Sequence, residues 1–167
     1  MSGSINGFAE LVREHQRMVF SLAYHFLQDR PLAEDITQDV FLQLYREADT
    51  FDSERHVRYW LRKVTSHRSI DAARKRKLRP RLTLEEIREP AGQEEFRDPM
   101  LSETLRKMVA GLPETPRMIV VLRYQEEMDP SEIAEMLNMP LATVKSHLHR
   151  SLTLLRGKMQ RKKELVR

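Results

Sequence analysis

Asp129 to Arg156 reads DPSEIAEMLNMPLATVKSHLHRSLTLLR, and the fold follows from how this stretch is divided. Asp129 is a helix cap, Pro130 suits a first helical position, and Glu132 three residues on completes an N-terminal signature. Ile133, Ala134 and Leu137 then repeat at helical spacing until Asn138, Met139 and Pro140 interrupt them, Asn being tolerant of left-handed backbone. A second helix opens at Leu141, with Leu141, Val144, Leu148, Leu152 and Leu155 as its apolar stripe. That stripe turns Ala142, Thr143, Ser146, His149 and Arg150 outward, with Lys145 at the edge. Two short helices around a tight turn, the second small and basic on its outer face, are the arrangement by which a helix-turn-helix places side chains in the DNA major groove. An amphipathic hairpin with a solvated basic face would share the stripe but needs no such turn.

The chain around this stretch has 167 residues and a formal net charge of +4, enough for two small cores and suited to a polyanionic partner. It has no cysteine, which excludes disulfides and thiolate metal sites. Its five glycines are Gly3, Gly7, Gly92, Gly111 and Gly157, too scattered for a phosphate-cradling loop. His147 and His149 are two residues apart and point to different helix faces, so they share no metal. No enzyme, cofactor or metal site is expected. Neither a signal peptide nor an apolar run of about 18 residues is present, so no membrane insertion and a cytoplasmic location are expected.

From the N-terminus, Phe8, Leu11, Val12, Met18, Val19, Leu22 and Phe26 mark a first core helix that ends near Gln28 and Asp29. A second helix opens at Pro31, with Ala33, Ile36, Val40 and Leu44 on one face. Its opposite face carries Asp35, Gln38, Asp39 and Leu42, an apolar anchor among hydrogen-bonding groups, which is what a partner surface looks like. Residues 48–54 form a loop containing Phe51 and supply the next cap. A third helix, from about Arg55 to Lys77, sets Val57, Trp60, Leu61, Val64 and Asp71 on one side. The other side holds Arg58, Arg62, Thr65, Ser66, Ser69 and Arg76, followed by Arg74, Lys75, Lys77, Arg79 and Arg81, a basic stripe mixed with hydroxyls that suits nucleic acid. Residues 82–98 reverse the sign, with Glu85, Glu86, Glu89, Glu94, Glu95 and Asp98, and read as an acidic linker broken by Pro90 and Gly92. Asp98 and Pro99 open the second domain, whose Leu101, Leu105, Met108, Val109 and Leu112 lead to a stop at Gly111 and Pro113. Thr115 and Pro116 start the helix of Ile119, Val120 and Leu122. The tail beyond Arg156 is expected to be disordered or to seek phosphate. The fold expected is all-α: a helical domain at 1–81, a flexible linker at 82–98 and a helix-turn-helix domain at 99–167.

Four segments in order, AEDITQDVFLQLYR (Ala33 to Arg46), YWLRKVTSHRSIDAARKRK (Tyr59 to Lys77), GLPETPRMIVVLRY (Gly111 to Tyr124) and the helix-turn-helix, resemble bacterial sigma-70 family factors of the extracytoplasmic-function group. The resemblance covers almost the whole chain. It implies region 2 for the first domain, region 4 for the second, a linker in place of region 3, and no region 1.1. On that likeness Asp35, Gln38, Asp39 and Leu42 bind the β′ clamp helices of core RNA polymerase, and region 4 meets the β flap. Phe51, Arg58, Arg62, Ser66, His67, Arg74 and Arg76 fall where the family contacts the promoter −10 element, the loop from Phe51 to Val57 holding a flipped base. Thr143, Lys145, Ser146, His147, His149 and Arg150 fall where it contacts the −35 element. His67 stands where the family often has Asn, and His147 where Arg is common. An anti-sigma factor is a further implied partner. The competing reading is a helix-turn-helix regulator that is not a polymerase subunit, but such dimers carry one DNA-reading domain per protomer, not two unlike basic sites. An RNA-binding or scaffolding protein would need the exposed stacking aromatics that this sequence lacks.

Overall fold

The computed structural model describes residues 2–78 and 103–165, with side chains from Gly7 onward, and every regular element among them is helical. The acidic linker, the cap at Asp98 and Pro99, Leu101, Arg79 and Arg81 lie outside the described residues. Two compact units are present, Met1–Ala91 and Gly92–Arg167.

The first unit consists of α1 (Ser2–Leu27), α2 (Arg30–Glu47), a short 3-10 turn (Ala48–Thr50) and α3 (Glu54–Leu78). The reversal between α1 and α2 takes only two residues, each with a separate task. Gln28 takes the left-handed conformation, φ 52°, and its side-chain amide donates to the carbonyls of Tyr24 at 3.3 Å and His25 at 3.1 Å, which closes α1. Asp29 then caps α2, its carboxylate accepting from the Leu32 amide at 3.1 Å. At the next corner Ser53 Oγ accepts from the His56 amide at 3.2 Å and starts α3. Val19, Leu22 and Phe26 of α1, Ala33, Val40 and Leu44 of α2 and Leu61 of α3 are all buried in the core of this unit. A side chain the size of Leu61, fully buried, contributes about 1.5–3 kcal/mol.

Three expectations for α3 are corrected. Thr65, Ser66 and Ser69 are fully buried rather than outward, because small hydroxyl residues let helices approach closely. Trp60 and Val64 are only half-buried, and Asp71 is exposed.

The second unit contains α4 (Glu103–Ala110), α5 (Glu114–Tyr124), α6 (Pro130–Met136) and α7 (Leu141–Leu165). Gly111 closes α4 by donating to Lys107 O at 3.1 Å and Met108 O at 3.2 Å. Met118, Ile119 and Leu122 of α5 are fully buried with Ile133 and Met136 of α6 and Val144 of α7. Helix α5 begins at Glu114, before the expected Thr115 and Pro116. Arg117 is buried in that helix, where its Nε donates to Leu112 O at 3.1 Å. Asp129 occupies the cap of α6, but its side chain makes no cap bond; its backbone carbonyl accepts from Ile133 at 3.0 Å instead. Asn138 provides the left-handed turn, φ 53°. The tail is also corrected: α7 continues without a break to Leu165, and Lys162 Nζ donates to Thr104 Oγ1 on α4 at 2.7 Å. Once α7 is nucleated by its packed first turns, a Lys- and Arg-rich extension adds residues at low cost.

Candidate nucleic-acid interface

Helix α2 is buried on Ala33, Ile36, Val40, Phe41 and Leu44, and the helical period therefore exposes Asp35, Gln38, Asp39 and Leu42 together. Leu42 is 55% exposed, which singles it out as an apolar anchor in a polar surround. One turn further, Tyr45 is equally open and meets the Phe8 ring edge-on at 5.1 Å. Sequence reasoning missed Tyr45, although its three-residue spacing from Leu42 was the available signal. Between α2 and α3 lies a groove of about 560 Å³ lined by Asp35, Asp39, Arg68, Asp71 and Lys75 among others. Arg68 reaches across it to α2, donating to Gln43 Oε1 at 2.8 Å and lying 4.0 Å from Asp39 Oδ2.

The seven residues expected at the −10 element are not all free to reach it. Arg58, His67 and Arg74 are exposed and Arg62 is half-buried. Ser66 is fully buried, so the expectation of a DNA contact there is corrected: its hydroxyl lies inside the helical unit and not on its surface. Arg76 is exposed in part, yet its guanidinium donates to Leu27 O at 3.3 Å and lies 3.5 Å from Asp29 Oδ2. It ties the last turn of α3 to the end of α1 and the cap of α2, a structural engagement the charge pattern did not reveal.

Phe51 forms an aromatic group with two residues not singled out from the sequence for DNA. Its ring meets His56 at 5.0 Å and Trp60 at 5.3 Å, both edge-on, and His56 Nδ1 lies 3.2 Å from Asp52 Oδ1. The half-buried Phe51 is thus held against the first turns of α3. On α1, His15 is buried, and burial is the largest influence holding its pKa below the ordinary 6.5; Glu14 opposes this, Arg58 reinforces it, Glu54 opposes and Arg62 reinforces.

In the second unit Val144, Leu148, Ser151 and Leu155 point inward from α7. Lys145, Ser146, His149 and Arg150 are exposed, with Thr143 and His147 half-buried at the margins. The expected stripe needs two changes: Ser151 is inside, and Leu141 is exposed because it begins the helix ahead of the packed turns. Among the described residues no group of three His, Asp or Glu could hold a metal ion. No described helix is long and apolar enough to cross a membrane.

Residues 11–79 match the Sigma-70 region 2 family and residues 102–155 match Sigma-70, region 4. The chain is 31% identical to the ECF RNA polymerase sigma factor SigW of Bacillus subtilis, over 95% of this chain and 91% of that one. The chain belongs to the extracytoplasmic-function sigma factors of the sigma-70 family. This sigma factor is also similar to the RNA polymerase sigma-E factor of Streptomyces coelicolor, 31% identical over 94% of this chain and 88% of that protein. Its fold is shared with a solved sigma factor RpoE of Bartonella quintana, in complex with the anti-sigma factor NepR. The TM-score is 0.72 at 15% identity, over 92% of this chain and 97% of that one. It is shared as well with CnrH in complex with the cytosolic domain of CnrY, TM-score 0.66 at 21% identity, over 95% and 91% of the two chains.

Proposed function

We infer that this sigma factor divides promoter-specific initiation among three helical faces, one on each of α2, α3 and α7. The α2 face of Asp35, Gln38, Asp39 and Leu42, extended by Tyr45, docks on the core polymerase clamp. The face of α3 with Arg58, Arg62, His67 and Arg74, together with Phe51, engages the −10 element. Lys145, Ser146, His149 and Arg150 of α7, flanked by Thr143 and His147, engage the −35 element. The observation that carries this division is the exposure of an acidic, Leu-anchored face on α2 in the same unit as a cationic face on α3. Opposite charge suits a protein partner and a DNA partner respectively. Region 4 is assigned the β flap as its site on polymerase. Sigma factors are not enzymes; catalysis belongs to the polymerase, in the cytoplasm, and this chain supplies recognition. An anti-sigma factor is a second protein partner, a reading supported by the complexes in which two proteins of this fold were solved.

Charge reversal tests the α2 assignment. Asp39→Arg should weaken core polymerase binding while leaving the helical circular dichroism spectrum unchanged. Unaltered core affinity in that folded variant would remove α2 from the docking surface.

A further inference from the structure

Of the four residues on the exposed α2 face, Asp39 is the one with a described tie to another helix, and that tie is Arg68. We propose that Arg68 of α3 is a positioning residue for polymerase docking, holding Asp39 and Gln43 of α2 in the arrangement the polymerase meets; the proposal rests on the reading of α2 as the docking face. The geometry suits the task. Asp39 and Gln43 are four residues apart and therefore lie one above the other on α2. A guanidinium presents several donors in a fixed plane, so one group can address both. Arg68 Nη2 donates to Gln43 Oε1 at 2.8 Å, and Nη1 stands 4.0 Å from Asp39 Oδ2. The hydrogen bond fixes the head group, and the fixed head group sets a local field that the Asp39 carboxylate follows.

Energetics decide what this contact can be for. The Arg68 and Asp39 side chains are 40% and 59% exposed, so their attraction is screened and gives the fold little stability. A contact weak for folding can still matter for binding, because a side chain held in its bound arrangement loses less rotamer freedom when the partner arrives. Arg68 also carries a positive charge beside an acidic docking face, which by itself would repel a cationic partner. Charge and preorganisation thus predict opposite outcomes on removing the side chain, which makes the proposal decidable. Arg68 is next to His67 on α3, so the same residue joins the docking face to the helix assigned to the promoter.

The test measures affinity of the full chain for core polymerase in wild type, Asp39→Ala, Arg68→Ala, the double variant and Arg68→Lys. Trp60 fluorescence confirms that each is folded. Removing one hydrogen bond and one weak ion pair should reduce affinity about two- to tenfold in Arg68→Ala. The double variant should lose less than the sum of the two single losses, since Arg68 acts in part through Asp39. Arg68→Lys, which keeps the charge but not the planar fork, should fall between wild type and Arg68→Ala. Unchanged or tighter binding by Arg68→Ala would overturn the proposal, as would additive losses in the double variant. So would a defect confined to promoter DNA binding with core affinity intact. If Asp39→Ala weakens binding and Arg68→Ala does not, the positioning role alone is lost; if Asp39→Ala is also silent, the docking assignment of α2 falls with it.

Discussion

Replacing Arg76 with alanine separates a structural role from a DNA-contact role. The side chain makes a hydrogen bond to Leu27 O at 3.3 Å and an ion pair with Asp29 at 3.5 Å, the two side chains being 45% and 35% exposed. The hydrogen bond contributes about 0.5–1.5 kcal/mol, and the partly exposed ion pair about 0.2–1 kcal/mol. Arg76→Ala should therefore destabilise the first unit by about 1–2 kcal/mol. With a urea dependence of about 1 kcal/mol per molar for a unit of this size, the unfolding midpoint should fall by about 1–2 M. Trp60 is the single tryptophan of the chain and sits on α3, so its fluorescence reports this unit alone. Asp29→Asn keeps an acceptor for the Leu32 amide but loses the charge, and should shift the midpoint by less than half as much. A midpoint unchanged in Arg76→Ala, with weakened promoter binding by the assembled polymerase, would refute the structural assignment and return Arg76 to the DNA face.

Three further outcomes follow from particular side chains. His15 has a folded-state pKa held below 6.5, so the unfolded chain takes up its proton first. Its contribution to the stability of the first unit is complete above pH 6.5 and is lost as pH falls from there through the lowered value. Trp60-monitored midpoints at about pH 8 and about pH 5.5 should differ less in His15→Gln than in wild type; equal differences would contradict the role given to His15. Asn138 sits at φ 53°, so Asn138→Val should destabilise the α6–α7 turn by about 1–2 kcal/mol and speed amide exchange in both helices, with Asn138→Gly close to neutral. Unchanged exchange in the valine variant would show that the turn relaxes without strain. Arg150 lies in the third turn of α7, beyond the first turns through which a recognition helix reads base edges, so on the proposed function Arg150→Ala should weaken all promoters alike and reduce the salt slope by about one. Loss of discrimination at one −35 position would instead make it a base reader.

Periodicity revealed the helices because apolar residues recur wherever a helix must bury one face: Val19, Leu22 and Phe26 of α1, Ala33, Ile36, Val40 and Leu44 of α2, and Ile119, Val120 and Leu122 of α5 are buried as their spacing predicts, whereas Phe8, Leu11, Val12 and Met18 are only half-buried. The exposed set on α2 was legible for the same reason, being the complement of a clear stripe. What periodicity does not encode is side-chain size. Thr65, Ser66 and Ser69 count as polar in any pattern, yet they are small enough to fill a helix contact, and so they were assigned to the wrong side of α3. Charge pattern has a similar blind spot, since Arg76 is indistinguishable in sequence from Arg74. Only the fold brings Asp29 and Leu27, almost fifty residues earlier, within its reach. His15 was passed over because a lone histidine among polar neighbours carries no signal of burial. The end of α7 was misjudged because a basic composition describes both a frayed tail and a good helix former.

The central claim is that this chain directs core RNA polymerase to promoters through two DNA-binding faces. Run-off transcription with bacterial core polymerase on a promoter library, with and without the protein, tests it most directly. The account predicts start sites that appear only when the protein is present, each downstream of paired −35 and −10 elements at one spacing. Transcripts identical with and without it, or DNA binding that never recruits polymerase, would contradict the account.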